Sequence, residues 1–121
     1  MMIKDSIKSQ ESGWMWLFKI LTGLLIVALI TVHFIVNHLI SSEGLLSYEE
    51  IVIYYKNWFV PIMEIGFLLF AITHSLLGIR SIVLDLNPPP KRLRLVTLAL
   101  ILIGVGFITY GIWLVLEIKS F

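Results

Sequence analysis

The chain has 121 residues, 59% of them hydrophobic and 14% charged, and its mean hydropathy is +0.98. A soluble domain keeps about a quarter of its residues charged, so this composition argues against a soluble globular fold. The net charge of +1 offers no basic surface for nucleic acid, and the absence of cysteine removes disulfides, iron–sulfur ligation and thiol catalysis.

In chain order, residues 1–12 are polar and are expected to order only against a partner. A helix needs about 20 apolar residues to cross a bilayer. The first such segment runs over about residues 20–40 and carries no charge. Its apolar run is too long for a cleaved signal peptide and no small-x-small pattern follows, so the N-terminus is expected to be retained. Next, Ser47-Tyr48-Glu49-Glu50 has the form of a capping box. Ile51, Ile53, Tyr54, Tyr55 and Trp58 follow it, which predicts a short helix lying in the interface.

The second span covers about residues 58–84, interrupted by Glu64 and Arg80, with Pro61 in its first turn. Asn87-Pro88-Pro89-Pro90 then ends the span and forces a stiff, extended link. A third, uncharged span covers about residues 95–116. Three spans cannot close a barrel, so each is helical. The expected fold is a single all-α integral membrane domain over residues 1–121, with three transmembrane helices.

Lys4, Lys8, Lys19, Lys91, Arg92 and Arg94 fall on one side of this arrangement, and Lys56 and Lys119 on the other. That asymmetry predicts a multi-pass protein of the cytoplasmic membrane with the N-terminus in the cytoplasm. Trp14, Trp16, Trp58 and Trp113 stand near span ends, as an aromatic belt requires. So short a chain leaves demanding chemistry to a cofactor or to other subunits.

The three histidines, His33, His38 and His74, all lie in or at the edge of predicted spans. An imidazole in hydrocarbon is costly unless paired, so each is a candidate functional residue. The competing reading is an imidazole hydrogen-bonded to a neighbouring helix. Two features favour metal ligation. Gly78 lies four residues after His74 on the same helix face, leaving room for a flat macrocycle, with Ser75 and Thr73 available to orient the ring. The second feature is depth: His74 lies about 15 Å, and His33 about 20 Å, from the cytoplasmic ends of their spans. The two would therefore serve two cofactors, each completed by a ligand from another chain.

Arg80 could neutralise a haem propionate, or could simply snorkel to the interface. Asp85 shares the His74 face and reads equally as a solvated helix-end carboxylate. Glu64 reads as a boundary carboxylate, and His38 as a hydrogen-bonded interfacial histidine.

The segment His74-Ser75-Leu76-Leu77-Gly78-Ile79-Arg80-Ser81-Ile82-Val83-Leu84-Asp85 has the form H-x3-G-I-R-x4-D. It is similar to the second-span motif of the membrane anchor subunits of succinate dehydrogenase. The segment Trp16-Leu17-Phe18-Lys19-Ile20-Leu21-Thr22-Gly23 resembles that family's approach to span one, with its Ser/Thr-Gly step. The resemblance implies a helical bundle with a second anchor subunit that shares one or two b haems with this chain. It also implies an iron–sulfur subunit, a flavoprotein subunit and membrane quinone as substrate.

On this resemblance His74 and His33 are the axial ligands of haem iron, and Gly78, Arg80 and Thr22 also contact the cofactor. His33 matches the first-span histidine of two-haem members. Asp85 and Lys19 are the positions offered to quinone. Two departures stand out: Ile20 occupies a position where the family often has arginine, with Lys19 beside it, and Leu86 follows Asp85 where some members have tyrosine. These point the quinone site toward the other anchor or the opposite face. The chain itself has no nucleotide fold or catalytic constellation for succinate. The alternatives are the anchor of a fumarate reductase and a haem-free structural membrane subunit.

Overall fold

The computed structural model describes residues 12–39 and 43–121. The expected ordering of residues 1–11, and Lys4, Lys8 and Ile40 of the predictions above, lie outside these residues. Helix α1, Gly13–Phe34, passes into a π-helical turn, Ile35–Leu39. Helix α2 spans Tyr48–Tyr55, α3 spans Phe59–Asp85 and α4 spans Pro90–Ser120. No strand occurs among the described residues. The three long helices, α1 with its π-helical turn, α3 and α4, are apolar and long enough to cross a membrane, and the protein is an all-α integral membrane fold.

The helices outrun the apolar segments that predict them. The first begins at Gly13 rather than near residue 20, because Ser12 caps it by accepting from the Met15 N–H at 3.3 Å. The third begins at Pro90 rather than near residue 95. Proline suits the first helical position, where its missing N–H has no intrahelical partner to lose. At 31 residues α4 is about 46 Å long, so its ends stand clear of a hydrocarbon core of about 30 Å. Hydropathy marks what lipid covers; caps mark where the helix stops.

The predicted short helix is present. The Ser47 hydroxyl accepts from the Glu50 N–H, and the Glu50 carboxylate accepts from the Ser47 N–H at 2.7 Å, the reciprocal pair of a capping box. Its last carbonyls, Tyr55 O and Lys56 O, accept from Lys119 Nζ, each at 3.2 Å. The same ammonium lies 3.9 Å from the Trp58 ring centroid. One lysine on α4 thus ties α2 down at the end of the molecule opposite the proline link. At the other end, Asn87 closes α3 in the left-handed region at φ +52°, where asparagine is tolerated.

Helix α3 lies between α1 and α4, and those two do not pack on each other. Close approach of α3 and α4 depends on small residues, as membrane helices require. A Cβ on Gly104 would meet Leu76, and one on Gly111 would meet Leu68. The result is an open layer of three helices. The buried side chains are few (Thr22, Val60, Pro61, Met63, Leu84, Leu93 and Val115), while Leu24, Val27 and Leu102 are each more than 60% exposed. Such faces need lipid or further helices against them.

Candidate functional site

Helices α1 and α3 run antiparallel, which sets residues near 20 on α1 against residues near 74 on α3. There the Nδ1 of His74 lies 3.1 Å from the carbonyl oxygen of Lys19 and 3.2 Å from Thr22 Oγ1. A carbonyl only accepts, so Nδ1 carries the proton and donates. The Thr22 hydroxyl is buried and spends its own proton on Phe18 O at 2.7 Å, so it too accepts from the imidazole. With Nδ1 as the donor, the lone pair of the imidazole falls on Nε2.

The ring is seated by what is missing opposite it. A Cβ built on Gly23 would come within 3.2 Å of His74 Cε1, so the Thr22-Gly23 step supplies an acceptor and then the space for the ring. Nothing lies within 4 Å of a Cβ built on Gly78. A groove of about 400 Å³ opens beside the imidazole, lined by Trp16, Lys19, Ile20, Gly23, Leu24, Val27 and His74. At 100° per residue, His74, Gly78, Ser81 and Asp85 fall within about 60° of one another on α3. Lys19 crosses to this stripe, donating from Nζ to Ser81 Oγ at 2.7 Å. Asp85 ends the stripe and is exposed.

Two expectations change in detail. The ring is oriented from α1 and not by its neighbours on α3. Ser75 is exposed and bonds back to Ala71 O at 2.7 Å, and both Ser75 and Thr73 are rotated about 100° from His74. Arg80 lies six residues on, about 120° around the helix. Its Nε donates to Thr97 Oγ1 at 3.3 Å, and Nη1 lies 3.8 Å from Met15 Sδ. This places it in a different groove of about 310 Å³, lined by Met15, Leu76, Leu77, Arg80, Thr97, Leu100 and Ile101, which shares no residue with the His74 groove. Ser81, a position of the second-span segment to which the sequence assigns no role, is part of the His74 stripe; its seven-residue spacing from His74 is the signal that marks it.

His33 occupies a second place, about 15 Å away along the helices, as ten to eleven residues of rise require. Its Nδ1 donates to Glu64 Oε1 at 2.9 Å, and its ring stacks on Phe67 with centroids 5.6 Å apart. Asn37 donates to His33 O at 2.8 Å. Glu64 is therefore an interhelical partner rather than a boundary carboxylate, and its side chain is only 15% exposed. Among the α2 residues, Tyr55 is pushed up to about 12, by burial first and by Glu64 second. Tyr54 is raised by the same two causes, and its buried hydroxyl has no partner among the described residues. His38 donates from Nδ1 to Gly44 O at 3.1 Å and packs against Phe34, the hydrogen-bonded arrangement expected of it. Among the described residues no three His, Cys, Asp or Glu side chains gather as they would around a protein-only metal site.

The sequence profile of a family described as succinate dehydrogenase/fumarate reductase transmembrane subunit matches residues 4–115. The chain belongs to that family. It is 30% identical over 114 residues to a protein of Archaeoglobus fulgidus named succinate dehydrogenase hydrophobic membrane anchor subunit, covering 94% of this chain and 97% of that one. No solved structure matches the chain significantly. A succinate dehydrogenase/fumarate reductase anchor is a multi-pass membrane protein that works with other subunits of its complex. Among the motif residues, Thr22, Gly23 and His74 meet at the α1–α3 crossing, whereas a Cβ on Gly78 would meet nothing within 4 Å and Arg80 turns to the other groove.

Proposed function

We propose that this chain is the haem b-binding anchor of a succinate:quinone oxidoreductase, in which His74 Nε2 would hold the haem iron. The observation that carries the reading is the tethered tautomer of His74, with Nδ1–H spent on Lys19 O and Thr22 and Nε2 left as a lone pair. Metal-binding histidines are oriented through the other ring nitrogen in this way. The donor set fits a macrocycle better than a bare ion. One imidazole, with no other ligating side chains gathered beside it among the described residues, does not complete a protein-only site, whereas a porphyrin brings its own equatorial nitrogens. A haem bound there supplies one-electron transfer between an iron–sulfur subunit and membrane quinone.

The work of this chain is to hold and shape. Lys19 O and Thr22 fix the ring, Gly23 admits it, and Gly78 keeps the backbone of α3 clear beside it. The groove is open on one side, where the second anchor subunit would close it and complete the haem site. His33 is the candidate ligand of a second haem, its Nδ1 tied to Glu64 and its Nε2 left over. Asp85, exposed on the His74 face, is the carboxylate available to quinone protonation at that end. The basic end with Lys91, Arg92 and Arg94 faces the cytoplasm, where the iron–sulfur and flavoprotein subunits dock. The name of the Archaeoglobus fulgidus relative favours succinate oxidation over fumarate reduction.

The test is a reduced-minus-oxidised spectrum with a haem-to-protein ratio on the purified complex. The expected result is a b-type spectrum that loses at least one haem in His74→Ala. A haem-free intact complex, or an unchanged spectrum in that variant, contradicts the reading.

A further inference from the structure

Arg80 stands five residues before the end of α3, a helix about 40 Å long against a hydrocarbon core of about 30 Å. With the helix centred, its Cα lies roughly 3 Å inside that core. The guanidinium is thus at the level where lipid headgroups meet acyl chains. Its contacts are a hydroxyl and a thioether, Thr97 Oγ1 at 3.3 Å and Met15 Sδ at 3.8 Å. Both are neutral, and among the described residues no carboxylate pairs with Arg80. A half-buried cation at this depth is costly without an anion beside it.

The space beside Arg80 runs from polar to apolar in the order of a phospholipid. Helices α1 and α4 do not pack on each other, and at this end they leave a groove of about 310 Å³ across α3. Met15, Arg80 and Thr97 form its polar end. Leu76 and Leu77 on α3, with Leu100 and Ile101 on α4, form its wall one turn further into the membrane. Ile101 is 55% exposed, so the wall opens toward acyl chains. We infer that this groove holds one anionic phospholipid, its phosphate on the Arg80 guanidinium and one acyl chain along that wall. The planar fork of arginine pairs two N–H groups with two phosphate oxygens, and basic pockets between spans hold anionic headgroups. Arg94, three residues before Thr97, adds a cation one turn nearer the headgroup plane. The lipid supplies the contact that α1 and α4 lack. The groove shares no residue with that of His74, so the inference stands apart from the haem reading.

Native mass spectrometry of the purified complex, released from nanodiscs of phosphatidylcholine doped with phosphatidylglycerol, counts the lipids retained. The wild type is expected to keep one phosphatidylglycerol that collisional activation removes last. Arg80→Gln is expected to lose it, and Arg80→Lys to keep it in a smaller fraction of complexes. Lys91→Gln, at the same end but outside the groove, is expected to keep it. Ile101→Trp fills the wall without touching the charge, so it too is expected to lose the lipid. That variant covers the case in which Arg80→Gln does not assemble. Excess inorganic phosphate is expected to leave the lipid in place, because phosphate has no chain for the wall to hold. The inference is overturned if Arg80→Gln, or Ile101→Trp in its place, keeps the lipid as the wild type does. It is overturned equally if phosphatidylcholine is kept as well as phosphatidylglycerol, if Lys91→Gln loses the lipid to the same extent, or if phosphate alone displaces it.

Discussion

At His74 the Nδ1–H is held by two neutral oxygens, Lys19 O and Thr22 Oγ1; at His33 it is held by the carboxylate of Glu64 at 2.9 Å. The surroundings differ as well. The His74 ring lies over Gly23 beside an open groove, whereas the His33 ring lies against Phe67. A carbonyl orients an imidazole and strengthens its donor nitrogen less than a charged carboxylate does. A carboxylate also pushes electron density into the ring and makes Nε2 a stronger donor. The same residue type is thus prepared in two ways, about 15 Å apart along one helix pair. If both rings hold haem, the two groups should not be electronically equivalent.

The largest expected effect separates the two places outright. His74→Ala should remove one b-type haem and leave the other, and His33→Ala should do the converse, as read from spectra and haem content of the purified complex. Loss of both signals in either variant would erase the distinction by showing a single shared centre. Next in size is Glu64→Gln. Replacing the anionic acceptor by a neutral one should raise the midpoint of the His33-linked haem while leaving the His74-linked haem where it was. Equal shifts of both would show that Glu64 acts through the field of the whole bundle rather than through His33.

The smallest effect is a titration. Tyr55 is pushed up from 10.0 to about 12, chiefly by burial and secondarily by Glu64. The folded chain holds this phenolic proton more tightly than the unfolded chain does. The stabilisation is therefore complete below about pH 10 and is lost as pH rises toward about 12. Ultraviolet difference spectra should show this tyrosine ionising late, and Glu64→Gln should bring its ionisation part of the way back. A tyrosine unmoved by that substitution would detach α2 from the His33 region.

Much of this was legible in the sequence where the information is local. Apolar run length reveals three spans, Ser47 and Glu50 announce α2, and the i, i+4 spacing of His74 and Gly78 marks one helix face. What spacing along one helix does not carry is rotation relative to another. Arg80 looks like a neighbour of His74 because only five residues intervene, yet those six steps turn it to the opposite groove. The His33–Glu64 pair depends on the register of α1 against α3, which the small residues and Thr22 at the crossing set, and no feature of either segment states it alone. Lys19 reads from sequence as a cation preceding the first span and, by resemblance, as a position offered to quinone; only the antiparallel crossing shows its carbonyl and its ammonium serving the same face of α3.

The account turns on what Nε2 of His74 meets in the assembled membrane complex. A density map of the purified complex, with its second anchor in place, reads this directly. The expected map shows a tetrapyrrole in the Trp16–Val27 groove with its iron on that nitrogen. A map in which Nε2 of His74 faces only side chains or acyl tails would contradict it.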